Sequence, residues 1–118
     1  VSQIAIHTWG EESVATRPHV VHYSLDATHY RDPIGQGALK TKHGSDEAVL
    51  AFMEKDPKVR AFINMMTGIA VGHLVREKYS YLCVGIHDKR GTQISPAIGE
   101  LLARSCEAAS LKVSVTNG

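Results

Sequence analysis

The chain has 118 residues, enough for one domain with its own core, and 43% of them are hydrophobic, an ordinary share for a globular chain. Thirteen Lys and Arg against twelve Asp and Glu leave a formal charge of +1, which excludes the strongly basic footprint of a wholesale nucleic-acid binder but not a local basic patch. No apolar run nears the roughly 18 residues of a membrane span and no signal-peptide pattern opens the sequence, so a cytoplasmic protein with no membrane partner is expected.

Taken in chain order, Gln3–His7 alternates enough for a first strand and His19–Ser24 for a second. Residues 25–44 hold Pro33, Gly35, Gly37 and Gly44 with little periodicity and read as a long loop. Ser45 is expected to cap a short helix reaching Lys55, with Asp46 and Glu47 at its positive end and Val49, Phe52 and Met53 as its apolar stripe. Asp56-Pro57 repeats the start signal, a capping residue and then proline. The second helix runs to about Lys78, with Val59, Phe62, Ile63, Met66, Ile69, Ala70 and Leu74 at helical spacing. Gly68 and Gly72 interrupt it and suggest close packing.

Tyr79–Gly85 is the third strand and the most hydrophobic, hence central. Ser95-Pro96 opens a last helix to Ala109 that buries Ile98, Leu101, Leu102 and Cys106, and Lys112–Thr116 closes the chain as a strand. Strand, helix and strand over residues 79–116 make a βαβ unit, whose strands should be parallel with a right-handed crossover. The fold class is α/β: a small, mostly parallel sheet with helices packed on it, in one domain over residues 1–118.

In open sheets of this kind ligands bind beyond the carboxyl ends of the strands. That selects residues 87–95, where a helix start with unpaired N–H groups follows a basic loop. The residues expected to line an anion pocket are Lys89, Arg90, Gly91, Thr92, Gln93 and Ser95. His87 and Asp88 open the same loop, Asp88 as an aspartate that repels phosphate, and Asp26 and Asp46 reach in from neighbouring loops toward hydroxyl groups. An ordinary βα turn with a solvated basic tip is the plainer alternative.

Seven histidines invite a metal, but the sequence holds no HExxH, no helical HxxxH and no Cys/His cluster, so neither metal nor cofactor is expected. Cys83 and Cys106 lie apart and read as buried free thiols of a reducing compartment. A hydrolase using His87 and Asp88 as acid–base groups is the enzymatic alternative; neighbours in an extended segment point different ways, which counts against it.

The order of motifs resembles the RapZ C-terminal domain family, whose larger members carry a P-loop ATPase-like domain first. Thr8-Trp9-Gly10 is similar to that family's Ser-Phe-Gly after the first strand. Asp26, with Arg31-Asp32-Pro33 beyond it, is similar to its Asp-x-Arg and Asn-Pro segment, and His43-Gly44-Ser45-Asp46-Glu47-Ala48-Val49 with Phe52 to its Thr-Gly-x-Asp-x-x-Val…Phe helix start. Tyr81-Leu82 and the loop Ile86–Ser95 fall where the family has Tyr-Leu and Gly-Cys-Thr-Gly-Gly-x-His-Arg-Ser. The colinear match covers roughly residues 4–116.

What the resemblance implies is a non-catalytic regulatory domain that senses a small anionic metabolite, a phosphosugar such as glucosamine-6-phosphate or a nucleotide. It also implies contacts with protein or RNA partners and self-association as a homo-oligomer. The departures are specific. Asp88 stands at the family's Cys, Gln93 at its His, Ile94 at its loop Arg, Thr28 at the Arg after Asp and Ile34 at the His after Asn-Pro, while Gly91 and Ser95 are kept. A basic C-terminal tail is replaced by LKVSVTNG, and no GxxxxGK[ST] occurs in these residues. The same fold with an altered ligand is expected; a partner-binding or oligomerising module with a decayed pocket is the other expectation.

Overall fold

The structure, a computed structural model, describes residues 3–11, 21–30 and 42–117. Strands β1 (Gln3–Gly10), β2 (Tyr23–Asp26), β3 (Tyr81–Asp88) and β4 (Lys112–Asn117) form one sheet in the order β2-β3-β1-β4. All pairings are parallel: Ile6 faces Val84 and Val115 across its two neighbours, and Tyr23 faces Val84. The α/β class and the parallel βαβ unit are therefore as expected, with β1 inserted between β3 and β4. Burial explains the order, because β1 and β3 are covered nearly throughout whereas β2 and β4 are largely exposed.

Helices α1 (Glu47–Glu54), α2 (Pro57–Val71) and α3 (Ile94–Ala108) pack on the sheet face that carries Ile4, Ile6, Leu82, Val84 and Ile86. Met53, Met66, Ile98, Leu102 and Cys106 fill the space between, all at most 1% exposed. The apolar spacing of α2 and α3 was a sound guide to this core. Met65 and Met66 separate as the helical period requires, Met66 into the core and Met65 to 56% exposure.

Boundaries differ where a local signal had a competitor. Asp46, one residue after Ser45, caps α1 by accepting from Ala48 N at 2.9 Å. Asp56 caps α2 as expected, accepting from Lys58 N at 2.9 Å with Pro57 in the first turn. Asp56 is buried, so Asp56→Ala is expected to cost about 1 kcal/mol by chemical denaturation. A change below about 0.3 kcal/mol would mean the cap contributes nothing.

The second helix ends at Val71 and passes into a π-helical turn, Gly72–Arg76, before Lys78 takes a positive φ of 59°. Gly68 and Gly72 are not close-packing positions, since a Cβ at either would meet nothing within 4 Å. β1 runs on to Gly10, which places Thr8-Trp9-Gly10 inside the strand. β3 starts at Tyr81 and extends to Asp88, so His87 and Asp88 end a strand and do not open a loop. β2 is later than expected; His19, and most of the long segment 25–44 including Arg31, Asp32, Pro33, Ile34 and Lys40, lie outside the described residues.

Candidate functional site

The carboxyl ends of β1, β2 and β3 meet the start of α3, and the connection from Lys89 to Gln93 closes that corner. Strand alternation sorts the two residues at the end of β3. Asp88 turns toward α3 and is 2% exposed. His87 turns to the opposite face, where its ring stacks on Trp9 at a centroid distance of 5.2 Å. Trp9 can lie flat there because β3 has glycine at position 85; a Cβ on Gly85 would sit 2.6 Å from the indole.

The Asp88 carboxylate organises the loop. Its Oδ1 accepts from Gly91 N at 3.0 Å and from Ser95 Oγ at 2.6 Å. Ser95 is therefore not the helix cap: α3 begins at Ile94, and the hydroxyl serves Asp88. A carboxylate from the preceding strand thus supplies negative charge at the positive end of α3. Gly91 adopts φ +72° and crosses β1 so closely that a Cβ would be 2.2 Å from Gly10 N. Glu11 N in turn donates to Asp88 O at 2.9 Å, fastening the end of β1 to the same loop.

A second segment docks from the side. Gly44 N donates to Thr92 O at 3.0 Å, and Gln93 Nε2 donates to Lys42 O at 2.8 Å. Gly44 is required by space, since a Cβ would fall 2.6 Å from Gln93 O. Asp46, besides capping α1, lies 3.7 Å from Lys42 Nζ. On the other flank Ala27 N donates to His87 O at 2.7 Å, bringing Asp26 beside β3. The Asp26 carboxyl accepts from Thr28 Oγ1 and Thr28 N, and these bonds hold its pKa below the usual aspartate value, with smaller help from His87 and His29.

Of the residues expected at the site, Asp88, Gly91, Gln93 and Ser95 are buried and shape the loop, while Lys89 and Thr92 lie at its surface and Arg90 is half-buried. Asp26 adjoins His87, and Asp46 belongs to the segment docked on Thr92 and Gln93. Sequence reasoning passed over Glu11 and gave Trp9 no role at the site. Glu11 was legible in principle as the residue just past the end of a parallel strand.

A groove of about 580 Å³ lies elsewhere, between the helices, lined among others by Lys55, Arg60, Ile63, Asn64 and Arg104. Arg104 is already committed to Glu47 at 2.7 Å and Glu100 at 3.3 Å. The groove's charged lining is thus already paired in part, whereas the strand-end corner gathers Asp26, His87 and Asp88 at the carboxyl ends of parallel strands. Both cysteines are buried free thiols, pushed to higher pKa by burial and so held as unreactive thiols. Among the described residues no helix is long and apolar enough to cross a membrane.

Over 97 residues, 80% of this chain, the sequence is 29% identical to a nucleotide-binding protein of Gluconacetobacter diazotrophicus. The chain spans 27% of that relative's length. The family model of the RapZ C-terminal domain matches residues 3–117, nearly the entire sequence, and on that match the chain belongs to the RapZ C-terminal domain family.

Proposed function

We propose that this domain is a non-catalytic regulatory module that binds a small anionic metabolite, a phosphosugar or a nucleotide, at the strand-end corner. The observation that carries the reading is the meeting of the basic loop Lys89-Arg90 with the start of α3 at the carboxyl ends of parallel strands. Lys89, Arg90 and Thr92 contact the charged oxygens, and Asp26 and Asp46 accept from ligand hydroxyls on either flank. His87 borders the pocket, while Asp88, Gly91, Gln93 and Ser95 hold its backbone in place. The printed description of the Gluconacetobacter relative as nucleotide-binding supports the nucleotide arm. The module works in the cytoplasm, where its buried thiols stay reduced, and self-association is part of the proposal.

A thermal-shift panel of phosphosugars, nucleotides and inorganic phosphate tests it. A ligand at 100 times its dissociation constant adds about 2.7 kcal/mol to the native state, raising the midpoint by roughly 10 °C. The Lys89→Ala/Arg90→Ala double variant is expected to weaken the selected ligand by at least about tenfold. Unchanged affinity in that variant would remove the anion reading.

One observation favours a second reading. The Asp88 carboxylate occupies Gly91 N and Ser95 Oγ, donors of the kind a bound oxyanion would use. A partner-binding or oligomerising module with a decayed pocket follows if the panel is flat. Light scattering showing a strict monomer would then count against self-association and turn attention to protein or RNA partners.

A further inference from the structure

Three strand ends converge on one point outside the basic loop. Glu11 follows β1, Asp26 ends β2 and His87 is the penultimate residue of β3, and the order β2-β3-β1 makes them lateral neighbours. One donor atom from each lies within 4.8 Å of the others. His87 Nδ1 is buried and makes no hydrogen bond. Glu11 Oε1 stands 3.7 Å from it, too far for the ordinary His–carboxylate bond. Two ligands sharing a tetrahedral metal at ordinary bond lengths are about 3.4 Å apart, close to the His87–Glu11 separation, and the exposed Asp26 and Glu11 carboxylates can turn to close the remaining gaps. The ring's orientation is fixed by its stack on Trp9, at an interplanar angle of 16°. Thr28 holds Asp26 by two hydrogen bonds, orienting a carboxylate that stays ionised.

A buried imidazole nitrogen without a hydrogen-bond partner is costly unless something binds it. An imidazole between two carboxylates suits a first-row transition-metal dication; magnesium and calcium prefer all-oxygen shells. We propose that Glu11, Asp26 and His87 bind such a dication, of the zinc class, through His87 Nδ1 and one oxygen of each carboxylate. Glu11 is 44% exposed, so the site faces solvent and leaves coordination positions for water. The proposal does not rest on anion binding at Lys89 and Arg90.

Trp9 is the sole tryptophan of the chain and makes a built-in reporter, because a paramagnetic ion at His87 lies within quenching range of the stacked indole. Chelator-treated protein in phosphate-free buffer is titrated with cobalt(II) while Trp9 emission is followed. A saturable quench at one equivalent, reversed by zinc(II), is expected. His87→Gln abolishes it, Asp26→Asn and Glu11→Gln shift its midpoint by at least about tenfold, and His43→Gln leaves it unchanged. Should His87→Gln disturb folding, the Asp26 and Glu11 variants decide the matter, since both side chains are exposed. An unsaturated quench at about 1 mM metal in the parent protein, or an unshifted midpoint in the carboxylate variants, overturns the site. With no organic anion present, failure here leaves the phosphosugar or nucleotide reading standing.

Discussion

The Gly91→Ala variant is expected to lose about 4 kcal/mol of stability, seen as a lower urea midpoint at an unchanged slope. Two costs add. A residue with a Cβ in the left-handed region at φ +72° costs roughly 1–2 kcal/mol. The methyl would also fall 2.2 Å from Gly10 N and 2.7 Å from Gly10 Cα. Both neighbours are backbone atoms of a central strand and cannot rotate aside, so the loop or β1 must move, at roughly 1–3 kcal/mol. The contact is reciprocal, because a Cβ on Gly10 would meet Arg90 O at 2.5 Å. Loss of less than about 1 kcal/mol in Gly91→Ala would mean that the loop does not cross β1 in this way.

Asp88→Ala is the second large effect, expected at about 3 kcal/mol. The carboxylate is buried and serves Gly91 N and Ser95 Oγ, and its removal strands both donors away from water. Asp88→Asn keeps a carbonyl oxygen in nearly the same place and should lose only about 1 kcal/mol. The contrast between the two variants separates the placement of an acceptor oxygen from the charge it carries. Equal losses would show that Asp88 acts through its negative charge, which both variants remove, and not through the placement of an acceptor oxygen.

Much of this fold was readable because most elements announced themselves by more than one signal. α2 had a capping aspartate, a first-turn proline and an apolar stripe of helical period, and it starts where those signals placed it. The centrality of β3 followed from its unbroken apolar run. The start of α3 misled because Ser95 satisfies the pattern of a cap while its hydroxyl goes to a carboxylate seven residues earlier. No local pattern encodes such a choice; the approach of Asp88 depends on where β3 ends. Gly68 and Gly72 misled differently, since glycine in a helix is equally compatible with contact and with open space.

The candidate site divides along the same line. Residues contiguous in sequence, 87–95, were found together because contiguity is visible. Glu11 was missed because its neighbours in space, Asp26 and His87, are brought to it only by parallel pairing across three strands. The departures from the family loop at Asp88 and Gln93 also gain physical content. Asp88 turns inward to fasten Gly91 and Ser95, and Gln93 donates to Lys42 O on the docking segment.

The strand order sets a schedule for assembly. Within this domain β1 is made before either of its partners, which begin at Tyr81 on one side and Lys112 on the other. Ile4 and Ile6 gain their lateral neighbours only when those residues have been made, so both closures are long and the one to β4 spans nearly the whole domain. Parallel pairings at such separation are slow to form and leave an apolar strand waiting in the open. The domain is therefore most vulnerable before β4 is made, and that six-residue strand completes the shelter of β1.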